Sequence, residues 1–200
     1  MNSPRPYYQD TRQHILANGQ SIILGKGFAA VGLSEILAAA EVPKGSFYHY
    51  FESKEAFGAE LIHDYFARYD EVMAGLLAEA ALPARERLLS YWRQWLDHQA
   101  CGDAKEQCLA VKLAAEVVDL SAAMREALDE GMQRVIRRIE TAILAGQRDG
   151  SLSRAIDAAT MAQALYALWV GASTLSKVRR AAEPLHVAFA VTESWLAPAG

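Results

Sequence analysis

The sequence predicts an all-α fold, and three features of the 200-residue chain support this prediction. β-branched residues do not cluster in the alternating runs that mark half-buried strands. Ala and Leu dominate the composition, and apolar residues recur every three or four positions over long stretches, as in amphipathic helices. Since 52% of the residues are hydrophobic, the chain can also bury a substantial core.

The first helix is expected to begin directly after Asp10. The Asp10 carboxylate suits an N-cap, and Gln13 stands three residues further on, where a capping box places its second member. Gly25 and Gly27 interrupt the helical pattern and are expected to mark its end.

Two short helices follow, separated by a tight turn. The first is expected over residues 33–40, with Gly32 as a permissive N-cap. Pro43 closes the turn, and the second short helix covers residues 44–50. Two short helices joined this closely form a helix-turn-helix motif.

Long amphipathic helices are expected in the rest of the chain. Ser53 suits the N-cap of a helix that ends near Pro83. Gly and Pro residues then divide the sequence into helices expected over residues 84–100, 105–119, 121–147, 157–179 and 184–196. We therefore divide the chain into a helix-turn-helix domain, residues 1–54, and a second helical domain, residues 55–200.

Charge and hydropathy exclude several classes of protein. A formal net charge of −4 argues against a protein that coats nucleic acid indiscriminately. Residues 1–54 carry five basic and four acidic side chains, so only this part of the chain is suited to a polyanion. No apolar run reaches about 18 residues, so we expect no membrane span. The N-terminus lacks the apolar core of a secretory signal, so we expect the protein in the cytoplasm.

The helix-turn-helix motif is expected to have a buried face and an exposed face. The buried face comprises Leu33, Ile36, Leu37, Val42, Phe47 and Phe51. The exposed face offers one cation, a close-approach glycine, hydroxyls and aromatic edges, which suit DNA phosphates and base edges: Lys44, Gly45, Ser46, Tyr48, His49 and Tyr50. Lys54 would add a second phosphate clamp at the start of the long helix. By spacing alone, a surface corner of two helices whose tyrosines only pack fits the motif equally well.

A family resemblance favours the DNA-binding interpretation. The string VPKGSFYHYFESKEAF, residues 42–57, is similar to the signature of TetR-family repressors and stands at the same place in the chain. The resemblance implies a DNA reader, residues 33–50, that contacts double-stranded operator DNA, with Phe47 in the core. Many members carry Thr where this chain has Gly32, so one hydroxyl contact to a phosphate is expected to be absent.

Two further strings resemble the NemR-like subgroup of this family, which responds to electrophiles and oxidants. They are EQCLAVKLAAEVVDLS, residues 106–121, and LYALWVGASTLSKVRRAAEPL, residues 165–185. The resemblance implies that Cys108 is the reactive thiol and that the Lys177 ammonium favours its thiolate. Lys112, four residues after Cys108, is a rival for that role. Small electrophiles or oxidants would then release the repressor from its operator.

Other interpretations of this half of the chain are open. By sequence alone, Cys108 could simply be a small buried hydrophobic residue. In that case Cys108 would have no sensing role, and a reversible hydrophobic ligand would induce this TetR-type repressor. An enzyme with Cys108 as nucleophile and His98 as base lacks an oxyanion motif and a supporting triad, so we expect no enzyme. Five potential metal ligands lie close together in the sequence: His98, Cys101, Asp103, Glu106 and Cys108. They contain no CxxC pair, so we expect no metal site. We expect no other cofactor either.

The later helices raise two more expectations. Their aromatic residues line a ligand cavity or form plain core: Trp92, Trp95, Tyr166 and Trp169. The last two helices carry small and apolar residues that are expected to pack as a four-helix homodimer interface: Ala158, Ala162, Leu165, Leu168, Ala172, Leu185, Phe189 and Trp195. As the family resemblance implies dimerisation here, the two-fold axis would place two readers one DNA turn apart, on two half-sites.

Overall fold

The computed structural model describes residues 5–78, 81–100, 109–155 and 157–198, and their regular structure is entirely α-helical. The helices are Arg5–Lys26 (α1), Leu33–Ala39 (α2), Lys44–Tyr50 (α3), Lys54–Leu77 (α4), Ala84–Ala100 (α5), Leu109–Val117 (α6), Ala122–Asp149 (α7), Ala158–Arg179 (α8) and Glu183–Trp195 (α9). The predicted all-α class, with a helix-turn-helix near the N-terminus, is therefore confirmed.

Most helix boundaries follow the predicted ones, with differences at α1 and α4. Because α1 begins at Arg5, Asp10 lies inside this helix, and its predicted role as N-cap is wrong. Pro6 is the second residue of α1, where a missing N–H costs no helix hydrogen bond. α4 ends at Leu77, well before Pro83, whereas the predicted Ser53 cap is present: its Oγ accepts the Ala56 N–H at 3.0 Å.

The described residues divide into two compact units. The first unit is drawn from residues 1–66 and 107–131, and the second from residues 67–106 and 132–200. α4 and α7 each contribute residues to both. Each unit thus combines two separate stretches of sequence, whereas the predicted division at residue 54 follows the chain alone and stays a prediction.

Three phenylalanines form the centre of the first unit. The rings of Phe47, Phe51 and Phe57 lie 5.0–5.4 Å apart between centroids, at tilted or edge-on angles that aromatic pairs favour. The same unit contains fully buried aliphatic side chains from α1, α2 and α4: Ile15, Leu16, Ile23, Ile36, Leu61 and Ile62.

Stacked tryptophans form the centre of the second unit. Trp92 and Trp169 stack with centroids 5.0 Å apart, and Trp95 packs against both. The indole N–H of Trp95 donates to Ser173 Oγ at 3.0 Å, and that of Trp169 donates to Thr192 Oγ1 at 2.9 Å. These aromatic side chains are packed core, and side chains of α8 and α9 satisfy the polar edges of Trp95 and Trp169.

A bidentate ion pair joins α4 to α7 in the second unit. Arg138 Nε and Nη2 donate to the two carboxylate oxygens of Asp70, each at 2.7 Å. The hydrogen bond from Arg138 is the main reason why the pKa of Asp70 lies below its ordinary value.

Within the described ranges, no helix combines the length and the apolarity needed to cross a bilayer.

Candidate nucleic-acid interface

The reader is shaped by a sharp turn between α2 and α3. Gly32 is the N-cap of α2, as predicted, and Pro43 is the N-cap of α3. In the turn, Glu41 adopts a left-handed backbone conformation with φ 51°, and the Val42 N–H donates to the Leu37 carbonyl at 3.1 Å. This geometry brings the two short helices directly against each other.

One side of the reader is fixed in the core. Ile36 and Phe47 are fully buried, as predicted, and Ala40 joins them although the sequence analysis did not single it out. Leu33, Leu37 and Val42 are only half-buried, so they flank this contact instead of forming its centre.

The opposite side of α3 carries the predicted DNA-binding residues. Lys44, Gly45, Tyr48 and His49 are exposed, whereas Ser46 and Tyr50 are half-buried. The Lys44 ammonium lies 5.7 Å from the centre of the Tyr48 ring, and the His49 and Tyr50 rings meet edge-on at 4.9 Å. A single seven-residue helix thus separates the buried Phe47 from a polar and aromatic outer surface.

Gly45 is not required by the packing of the protein itself. A Cβ added at this position would meet no heavy atom within 4 Å. Glycine inside a helix costs about 0.5–1 kcal/mol relative to alanine. The open space at Gly45 is compatible with the close approach of another molecule, as the predicted DNA contact requires.

Lys54 makes a contact within the fold, and its role as a phosphate clamp stays a prediction. Its ammonium donates to the Phe28 carbonyl oxygen at 2.8 Å and lies 4.4 Å above the Phe28 ring. The contact ties the start of α4 to the loop between α1 and α2. It uses one of the three N–H donors of the ammonium.

An open groove of about 690 Å³ runs beside α3. It is lined by Gly45, Ser46, His49 and Tyr50 of α3 and by Thr11 and His14 of α1, among others. His14 Nε2 lies 3.1 Å from the Ala40 carbonyl oxygen, which joins α1 to the end of α2. Sequence analysis missed Thr11 and His14 because neither belongs to a recognisable motif within the long first helix.

The predicted sensing residues are only partly described. Cys108 lies outside the described residues, as do Cys101, Asp103 and Glu106. Lys177 is exposed in the last turn of α8, and Lys112 is half-buried in α6. Among the residues with a described position, no three His, Cys, Asp or Glu side chains form a group suited to a metal ion.

The predicted homodimer face on α8 and α9 requires a correction. Five of its eight residues are buried within the chain's own fold: Ala158, Ala162, Leu165, Ala172 and Leu185. Of the predicted residues, Trp195 is 40% exposed. Leu175 and Val187, which were not in the predicted set, are 47% and 56% exposed on the same two helices. Together with Leu168 and Gly171 they border an open hollow of about 350 Å³. We call these four residues the apolar α8–α9 face.

Comparison with known proteins gives matches over most of the chain. Residues 15–61 match the family model described as bacterial regulatory proteins, tetR family. Residues 84–192 match the model described as tetracyclin repressor-like, C-terminal domain.

Individual relatives agree with both matches. The chain is 43% identical over 188 residues to the HTH-type transcriptional repressor NemR of Escherichia coli strain K12, covering 94% of each protein. It is 34% identical over 177 residues to the HTH-type transcriptional repressor DhaR of Mycobacterium sp. strain GP1, covering 87% of this chain and 86% of DhaR. The crystal structure of reduced E. coli NemR has a TM-score of 0.88, covering 95% of this chain and 97% of that one. The predicted resemblance is therefore confirmed, and the chain belongs to the TetR family of bacterial regulatory proteins.

Proposed function

We propose that this protein is a transcriptional repressor that binds double-stranded operator DNA through α3 and is released when an electrophile or oxidant reacts with Cys108. One observation carries the DNA-binding part: α3 turns Phe47 into the core and presents Lys44, Gly45, Tyr48 and His49 to the outside. A recognition helix in the major groove needs this division. The protein acts by binding, not by catalysis, and it works in the cytoplasm, where the DNA is.

The role of Lys44 is tested by the salt dependence of DNA binding. Each phosphate contact contributes about 0.9 to the slope of log affinity against log salt concentration on duplex DNA. Because the proposed homodimer carries Lys44 twice, Lys44→Ala should reduce the slope by about two units and weaken binding. Arg137→Ala removes the same charge from an exposed position of α7 and serves as the matched control. Equal slopes for both variants would remove Lys44 from the interface.

The sensing part rests on the resemblance to NemR, and the NemR crystal structure that matches this chain is of the reduced form. The thiolate, not the thiol, is the nucleophile in cysteine chemistry. With N-ethylmaleimide, the Cys108 sulfur would form a bond to an alkene carbon, and the other carbon would take a proton from water. Modification then favours the arrangement that does not bind DNA, and the bound population falls.

Alkylation of purified protein tests the sensing residue. Wild type should lose its DNA after N-ethylmaleimide treatment in a mobility-shift assay, Cys108→Ser should keep it, and Cys101→Ser should behave as wild type. Release of Cys108→Ser would assign the response to another group. If maleimide modifies wild-type Cys108 and the DNA stays bound, a reversible ligand becomes the better explanation of induction.

The two candidate lysines are separated by the rate of alkylation. A nearby ammonium favours the thiolate and thereby speeds the reaction at neutral pH. We expect Lys177→Ala to slow alkylation of Cys108 and to shift its rate profile to higher pH, with Lys112→Ala close to wild type. The opposite pattern would assign the role to Lys112.

We further propose that the protein is a homodimer joined through the apolar α8–α9 face. A contiguous exposed apolar surface in a water-soluble regulator marks an interface, and two-fold symmetry matches two half-sites. Leu175→Glu should give monomers in light scattering and lose most of the DNA affinity. Leu144→Glu, at a leucine of α7 that is 42% exposed, is the control and should remain dimeric. A dimeric Leu175→Glu would place the interface elsewhere.

A further inference from the structure

We propose that Glu116 of α6 and Lys54 of α4 hold the α1–α2 loop, residues 27–32, in the position from which the reader binds DNA, and that α6 releases this loop when Cys108 is modified. The inference rests on the proposed function and adds to it the residues that pass the signal. Glu116 and Lys54 are thus positioning residues for DNA binding.

The loop is held at Phe28 by charged side chains on both sides of the residue. The Phe28 N–H donates to Glu116 Oε2 at 3.0 Å, and the next N–H, that of Ala29, donates to Glu116 Oε1 at 2.5 Å. The Phe28 carbonyl accepts from the Lys54 ammonium at 2.8 Å. Its ring is buried beneath the same ammonium. Hydrogen bonds to ionised groups are the stronger class, so this arrangement fixes the loop more firmly than ordinary turn bonds.

The loop backbone is shaped to receive the Glu116 carboxylate. Gly27 has φ 92°, a backbone conformation that residues other than glycine rarely adopt. A Cβ at this position would also lie 2.9 Å from Glu116 Oε2. The positive φ therefore calls for glycine at residue 27, and the missing side chain leaves the space that the carboxylate occupies.

Glu116 belongs to the helix that follows the proposed sensor directly. α6 begins at Leu109, the residue after Cys108, and ends at Val117. Leu113 and Val117 are fully buried, so α6 is packed into the core along its length. We therefore expect α6 to move as a rigid helix. At about 1.5 Å of rise per residue, Leu109 and Glu116 lie about 10 Å apart along the helix axis. A shift or rotation of α6 at its first turn therefore reaches the carboxylate at its last.

Release of the loop would act on the reader through α2. The loop leads directly into α2, whose N-cap is Gly32. Since α2 and α3 are in contact and each buries a large apolar side chain, Ile36 and Phe47, a displaced loop would shift both helices of the reader. A two-state element of this kind converts a small local change into a change of DNA affinity.

The test compares two carboxylate variants in the same stretch of chain. Glu116→Ala removes the acceptor for both loop amides, whereas Asp119→Ala removes an exposed carboxylate just beyond the end of α6. Binding of each full-length protein to the DNA upstream of its own coding sequence is measured by fluorescence anisotropy, before and after N-ethylmaleimide. Hydrogen exchange of residues 24–33 shows whether the loop itself has been released.

We expect Glu116→Ala to bind this DNA at least about tenfold more weakly than wild type, a loss of about 1.4 kcal/mol. Its loop should exchange faster while the tryptophan core of the second unit keeps its protection. N-ethylmaleimide should weaken the variant's binding by less than about twofold, because the link is already open. Glu116→Gln, which keeps one acceptor oxygen, should lie between Glu116→Ala and wild type, and it is the deciding variant if Glu116→Ala does not fold.

The outcomes separate this inference from the proposed function. If wild type binds and Glu116→Ala binds equally well or more tightly, the positioning role of Glu116 is wrong and the repressor assignment stands. If Glu116→Ala is weakened but retains the full response to N-ethylmaleimide, transmission through Glu116 is wrong. If wild type does not bind DNA, the proposed function fails, and this inference fails with it.

Discussion

Polar side chains have opposite roles in the reader and in the second unit. On α3 they point outward, and Tyr48 is 49% exposed. In the second unit they hold helices together, as Trp95 does with Ser173 and Asp70 with Arg138. A helix face that presents polar and aromatic side chains to solvent identifies the functional surface better than any single residue type does.

The largest expected difference within the reader lies between two adjacent residues. Phe47→Ala empties a fully buried site and should reduce the free energy of unfolding by about 3–5 kcal/mol. Tyr48→Ala should leave stability within about 0.5 kcal/mol of wild type, because surface substitutions rarely do more. DNA binding should be lost in both, for different reasons. Urea unfolding and fluorescence anisotropy on the same samples check both expectations. A strongly destabilised Tyr48→Ala would show that Tyr48 also supports the fold.

Gly45→Ala should move stability and affinity in opposite directions. Alanine favours the helix by about 0.5–1 kcal/mol, and the protein leaves open space for the methyl group. The same methyl group should weaken DNA binding by about tenfold, or about 1.4 kcal/mol, if the DNA backbone approaches here. Thermal unfolding and DNA affinity are measured together. A variant that is more stable and binds DNA unchanged would mean that α3 does not approach DNA at this residue.

In the second unit, Asp70→Asn should change stability without changing DNA affinity. Ion pairs of this exposure contribute about 0.2–1 kcal/mol at neutral pH. Because folding lowers the pKa of Asp70, the ionised carboxylate stabilises the fold above its unfolded pKa of about 3.9. This contribution is lost as the pH falls through the lower, folded pKa. The free energies of unfolding of wild type and Asp70→Asn are measured with urea at pH 7, 5, 4 and 3. They should differ at neutral pH and converge only at the acidic end. A constant difference at all four pH values would contradict the role of the pair.

The smallest effect is expected at the cap of α2. Gly32 has an extended conformation, φ −79° and ψ 152°, that threonine also adopts, and there is open space around its missing Cβ. Gly32→Thr should stabilise the protein by a few tenths of a kcal/mol through a hydroxyl cap, on the order given for such exchanges. It should also tighten DNA binding if the hydroxyl reaches a phosphate. Weaker binding by a stable variant would show that DNA comes too close to this cap for a side chain.

The sequence predicted the reader more completely than the helices of the second unit. α3 has a single large apolar residue on its inner side among polar neighbours, so its buried face is unambiguous. α8 carries small and apolar residues on every side, and the pattern could not show which side packs inward; hence the residues predicted for the dimer face, such as Leu165, are buried in the fold. The buried face of a helix can be predicted from its sequence only when polar residues mark the opposite face.

Contacts distant in sequence were beyond prediction for a different reason. Glu116 bonds to amides 87 and 88 residues earlier in the chain, and nothing in the local pattern of α6 indicates this partner. Lys54 was predicted to bind phosphate because only its place at a helix start is visible in the sequence. Its bond to Phe28 depends on how α4 packs against the α1–α2 loop.

The central claim, that α3 presents a sequence-specific DNA-binding surface, is tested most directly by the affinity of untreated, reduced wild type for DNA. We would compare the fragment upstream of its coding sequence with a scrambled fragment of equal length, at physiological salt, by fluorescence anisotropy. Specific regulators bind with Kd on the order of 10⁻⁸–10⁻¹¹ M and at least about 10³-fold more tightly than to other DNA. If α3 is the DNA-binding surface, wild type shows this preference and Tyr48→Ala loses it while keeping its fold. Equal affinity for both fragments, or a preference that survives Tyr48→Ala and Lys44→Ala together, would contradict this claim.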